Sequence, residues 1–79
     1  MSEASRIERL AELENLLAAC PSNIRVRCDL ALLLEHLNRH EEAFLNWKAV
    51  LDCDSNNLMA REGVTRCRSR LSQGMQSSE

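Results

Sequence analysis

The segment VLDCDSNN, residues 50–57, decides the fold, because LLAACPSN, residues 16–23, lies on it at an offset of 34. Leu16 falls on Val50, Leu17 on Leu51, and Pro21-Ser22-Asn23 on Ser55-Asn56-Asn57. The match extends outward without a gap. Upstream, Leu10 meets Phe44 and Leu13 meets Trp47. Downstream, Ile24 meets Leu58, Val26 meets Ala60, Arg27 meets Arg61, Leu30 meets Val64 and Leu37 meets Leu71. Identities are few, but the apolar positions and the polar breaks coincide. A fixed period in the range of about 20–50 residues marks a repeat architecture.

The breaks divide the chain into four helices. The first runs from about Glu3 to Ala19, with Ile7, Leu10, Leu13, Leu16 and Leu17 as its apolar face. Ser2 or Ser5 caps it, and Pro21 stops it, because proline cannot continue the hydrogen-bond ladder. The second runs from about Asn23 to Leu37, with Ser22 as N-cap and Asn38 ending it in the left-handed conformation. The third runs from about Glu41 to Cys53, with Glu41 and Glu42 opposing the helix dipole in its first turn. Its face is Ala43, Phe44, Trp47, Val50 and Leu51. The fourth runs from about Asn57 to Ser72, capped by Ser55 or Asn56, with Ala60, Val64, Cys67 and Leu71 as its stripe. Gly63 inside it costs about 1 kcal/mol relative to Ala, which predicts either close packing or a soft helix. Residues 73–79 read as a frayed tail. Connections of three or four residues make consecutive helices antiparallel neighbours, so the expected architecture is all-α: four antiparallel helices as two stacked helical hairpins.

Composition agrees. The chain has 79 residues, 44% hydrophobic and 28% charged, which suits one small globular domain and argues against a disordered chain. Thirteen Leu against one Phe, one Trp and no Tyr favour helices over sheets. So short a chain cannot enclose a large active site. No nucleophile–base pair, phosphate loop or apolar carboxylate pair is spaced for catalysis, so no enzyme and no cofactor is expected. Net charge is −2, with a basic end: Arg61, Arg66, Arg68 and Arg70 face only Glu62 and Glu79. The four Cys, at 20, 28, 53 and 67, include no C-x-x-C, and the N-terminus MSEASRIERL is no signal peptide. Free thiols packed at helix interfaces, no metal site and a cytoplasmic location are expected. No apolar run is long enough to span a membrane.

The 34-residue helix–turn–helix period resembles the tetratricopeptide repeat. Residues 24–57 carry the likeness: Arg27, Leu30-Ala31 and Leu34 stand where that family prefers Trp, Leu-Gly and Tyr. Ala31 keeps the small residue that lets helices approach. Glu42-Ala43 and Trp47 follow, and Leu51-Asp52-Cys53-Asp54-Ser55-Asn56-Asn57 is close to the family's ending, with Ser55 for its proline. The departures are Arg27, Leu34 and Asn38, the last for a turn glycine. The resemblance implies a right-handed superhelical stack over residues 1–72. Residues 1–23 form a capping half-repeat, 24–57 a complete repeat and 58–72 a second half. Arg9 stands at the Ala43 position, as expected where no helix precedes.

Such repeats recognise peptides or protein surfaces along a concave groove lined by the first helix of each repeat. The resemblance places Arg25, Cys28, Leu32, Glu35 and His36 there from the second helix, and Met59, Glu62, Arg66 and Ser69 from the fourth. Helical spacing independently puts Cys28, Leu32 and Glu35/His36 on one stripe. Leu32 is opposite a core face already supplied by Leu30, Leu33, Leu34 and Leu37, as a binding anchor would be. Cys28 and Leu32 stand where chaperone-binding members place carboxylate-clamping Lys and Asn, so that activity is disfavoured. The expected function is a non-catalytic adaptor or scaffold binding another protein or a peptide. The alternative is an RNA-binding helical repeat acting through the Arg-rich fourth helix, although aromatics for base stacking are scarce. A homodimer at the fourth-helix edge, near Met59, Val64 or Leu71, is a further expectation.

Overall fold

A computed structural model describes residues 2–77, with side chains described for residues 2–73. Four helices follow one another: α1 (Glu3–Ala19), α2 (Ile24–His36), α3 (His40–Cys53) and α4 (Leu58–Ser77). α1 packs on α2, α2 on α3 and α3 on α4, while α4 also reaches back to α2. α2 therefore touches all three other helices, and α1 touches only α2. The fold is a stack of helical hairpins, 42 × 33 × 17 Å. Its thin dimension is that of two helix layers, which leaves room for surface grooves and none for an enclosed chamber.

The two turns that align in sequence have the same hydrogen bonding. The Cys20 N–H donates to the Leu16 carbonyl at 3.1 Å and the Asn23 N–H to that of Cys20 at 3.0 Å. Thirty-four residues later, Asp54 donates to Val50 at 2.8 Å and Asn57 to Asp54 at 3.1 Å. The residues closing α1 and α3 share a backbone conformation: φ −142°, ψ 84° at Cys20 and φ −143°, ψ 87° at Asp54. The internal repeat is thus a repeat of structure as well as of pattern.

These turns correct two caps. Asn23, not Ser22, caps α2: its Oδ1 accepts from the Val26 N–H at 3.1 Å. Asn57, not Ser55 or Asn56, caps α4 by accepting from Ala60 at 2.9 Å. Each turn spends the intervening polar residues in its own bend, which leaves the asparagine adjacent to the helix to satisfy a free N–H of the first turn. Ser2 caps α1 through Ser5. Asn38 has φ 62°, as expected, and ends α2 with a pair of bonds: Asn38 N–H to Glu35 and Arg39 N–H to Leu34. α4 continues to Ser77, beyond the expected end at Ser72, so residues 73–77 are helix rather than tail. Residues 78 and 79 of that expected tail lie outside the described residues.

Trp47 is the centre of the core. It is fully buried, with Leu13, Leu34, Val50 and Cys67 as the other large side chains sealed from solvent. α4 approaches it through Gly63, where a Cβ would overlap the indole. Close packing, not softness, explains this glycine. Leu10 and Leu13 seat α1 on α2, but Ile7 and Leu16 of its expected face are about half exposed, at 50% and 52%. The repeat gives the reason. Val50, the equivalent of Leu16, is fully buried because α3 lies between α2 and α4. α1 has one neighbour and can bury only one side.

The ends of the stack carry polar side chains where the middle is apolar. Ala43 is sealed, while its equivalent Arg9 is exposed. Ala31 and Leu34 are buried, while their equivalents Thr65 and Arg68 are exposed. The fourth-helix edge is also less apolar than expected. Val64 is buried and Leu71 half-buried, which leaves Met59 exposed beside Leu58. None of the helices among the described residues is long and apolar enough to cross a membrane.

Candidate functional site

One polar network ties three helices together beside the core. Glu35, in the last turn of α2, accepts a hydrogen bond from the Trp47 indole N–H of α3 at 2.7 Å. It also accepts both arms of the Arg66 guanidinium of α4, each at 3.0 Å. Bidentate carboxylate–guanidinium pairs fix orientation as well as charge. The Glu35 side chain is 15% exposed and that of Arg66 48%. Burial alone pushes the Glu35 carboxyl upward. The hydrogen bonds from Arg66 and Trp47, the charge of Arg66 and the nearby His40 outweigh it and hold the carboxyl below its ordinary value. Glu35 raises the Arg66 pKa in return.

This pair lies in an open depression of about 660 Å³ between α2 and α4. Leu32, Glu35 and His36 line it from α2, Asn38 from the turn, His40 from the start of α3, and Thr65, Arg66, Ser69 and Arg70 from α4. A second, shallower depression on α4 is lined by Leu58, Arg61, Glu62, Thr65 and Arg66.

Of the nine residues expected in the groove, Leu32, Glu35, His36, Arg66 and Ser69 come together in the larger depression, and Glu62 joins Arg66 in the second. Arg25 and Met59 are exposed but line neither. Cys28 is a correction: it is buried in the core and presents nothing to a partner. Its place on the Leu32 stripe is real, but α2, with three neighbours, is enclosed over most of its circumference. Leu32 itself is half-buried.

Asn38, His40 and Arg70 were not expected here. The Asn38–His40 segment reads locally as a turn, which hides that α2 ends beside α4. Arg70 carried a usable signal, because the 34-residue period makes it the equivalent of His36.

The four arginines of α4 do not form one basic stripe. Arg61 and Arg68 are seven residues apart on one side, with Arg68 over the Phe44 ring at 5.9 Å. Arg66 and Arg70 face the α2 groove. The cysteines divide as well. Cys28 and Cys67 are buried between helices, as expected for packing thiols, while Cys20 and Cys53 are exposed. Among the described residues, no group of three His, Cys, Asp or Glu side chains is placed to hold a metal ion.

No protein-family model matches this chain, and neither a curated protein nor a solved structure matches it.

Proposed function

We propose that the chain is a non-catalytic protein–protein interaction module of tetratricopeptide-repeat type, holding a peptide or helix of another protein along the α2–α4 groove. The observation that carries this reading is Leu32. It is an aliphatic side chain left partly exposed in a depression that the Glu35–Arg66 pair also lines and braces. A braced, partly apolar groove recognises a ligand without spending free energy on its own ordering. The repeat reading has further support in the congruent turns at 34-residue spacing, the sealed Ala31 and Ala43, and the order in which the helices touch. An RNA-binding reading through α4 has less support, since the arginines are divided between two faces and Arg66 and Arg68 are engaged within the protein.

The test is affinity capture from native cell extract with wild type and Leu32→Glu, with helicity of the variant checked by circular dichroism. The groove reading expects a subset of captured proteins to be lost while the fold remains. A folded Leu32→Glu variant that keeps every partner overturns it.

A further inference from the structure

We infer that the α2–α4 groove takes an internal acidic segment of its partner, with an aliphatic side chain on Leu32 and carboxylates toward Arg70, His36 and His40. This rests on the groove reading above and gives it a ligand chemistry. The argument is an account of charge. Glu35 lines the groove, but Arg66 and Trp47 occupy both of its oxygens. No other carboxylate lines the depression. Glu42 is held by Arg39 at 2.7 Å, and Glu62 belongs to the neighbouring depression.

What remains is donor-rich. The Arg70 guanidinium has no carboxylate within ion-pair distance among the described residues. His36, Asn38, His40 and Ser69, all with hydrogen-bonding side chains, line the same depression. The repeat brings His36 and Arg70, equivalent positions on α2 and α4, to the same depression. Because the chain as a whole carries −2, the attraction is local to the groove and not a property of net charge. The depression's volume falls within the range of about 300–1,000 Å³ for small-ligand sites, which suits a short segment better than a long helix.

The experiment is fluorescence anisotropy with the full chain and labelled peptides whose ends are acetylated and amidated, so that no terminal carboxylate takes part. The probes are a peptide with Asp and Glu flanking one Leu, its Asn/Gln counterpart, a Lys counterpart and a single-stranded RNA. The acidic peptide is expected to bind about tenfold more tightly than the amide version in low salt. That preference should shrink as salt shortens the screening length to about 8 Å. Arg70→Glu should abolish the preference, and Leu32→Ser should weaken both peptides alike, with each variant's Tm measured beside the wild type. Equal binding of the acidic and amide peptides overturns the acidic chemistry and leaves the groove reading intact. Binding of the RNA without the acidic peptide overturns it in favour of a nucleic-acid ligand. No peptide binding also overturns it, and the Leu32→Glu capture then decides separately whether the groove binds protein at all.

Discussion

Gly63 of α4 lies so close to the indole of Trp47 that a Cβ there would overlap the ring. Two effects therefore oppose each other in Gly63→Ala. Helix propensity favours alanine by about 1 kcal/mol. Overpacking a filled core costs about 1–3 kcal/mol, and the indole cannot retreat without losing its bond to Glu35. Packing should win, so the variant is expected to unfold at a lower temperature and denaturant concentration than wild type. Trp47 is the sole tryptophan, so its emission reports on that contact directly. A raised Tm would mean that α4 does not approach the ring as described.

Glu35 should make stability depend on pH in one direction. Its carboxyl titrates lower in the folded chain than in the unfolded one, where an ordinary Glu titrates near about 4.3. The unfolded state then binds more protons in the window below that value, so stability rises with pH there. The contribution is complete above about pH 4.3 and is lost as pH falls through the lower, folded value. Glu35→Gln removes it and should cost about 1 kcal/mol at neutral pH, since Arg66 is half exposed and its pairing is screened. Denaturant midpoints of the two proteins, measured from pH 7 to pH 2, should run parallel at first and converge in acid. A constant gap throughout would remove Glu35 as the source.

The parts of this fold that were legible in the sequence are those set by short-range chemistry. The turns at residues 20–23 and 54–57 were readable because polar, helix-breaking residues recur at a fixed spacing. Asn38 was readable because asparagine tolerates positive φ. The exposure of Ile7 and Leu16 was not, because both fit an amphipathic face. Only the number of neighbours around α1 decides how wide that face needs to be. The site divides in the same way. The tetratricopeptide resemblance places Glu35 and Arg66 each on the groove, but their pairing depends on how close α2 and α4 come, which no local spacing encodes.

The corrected caps separate by mutation. Asn23→Ala and Asn57→Ala should each cost about 1 kcal/mol. The double variant should be additive, since the two turns share no hydrogen-bond partner. Ser22→Ala and Asn56→Ala, which remove capping residue types from the same turns, should stay within about 0.5 kcal/mol of wild type. Asn23→Ser should recover most of the loss, because the cap needs only a side-chain acceptor in reach of the Val26 N–H. If Ser22→Ala were the costly change, the register of the first turn of α2 would be wrong by one residue.

Thiol reactivity tests the core from the other side. Burial raises the pKa of both Cys28 and Cys67. Negative charges add to this effect, from Asp29 and Asp54 at Cys28 and from Glu35 at Cys67, where Arg66 opposes in part. Reaction with a disulfide reagent goes through the thiolate, so these two thiols are doubly protected, by access and by ionisation. Cys20 and Cys53 are exposed at the ends of α1 and α3. In the native protein at neutral pH, two thiols should therefore react quickly and two slowly, and peptide mapping should assign the slow pair to Cys28 and Cys67. In denaturant all four should react at similar rates. A fast Cys67 in the native state would show that α4 separates from Trp47 often enough to expose it. The same opening would break the Glu35–Arg66 pair and with it one wall of the groove.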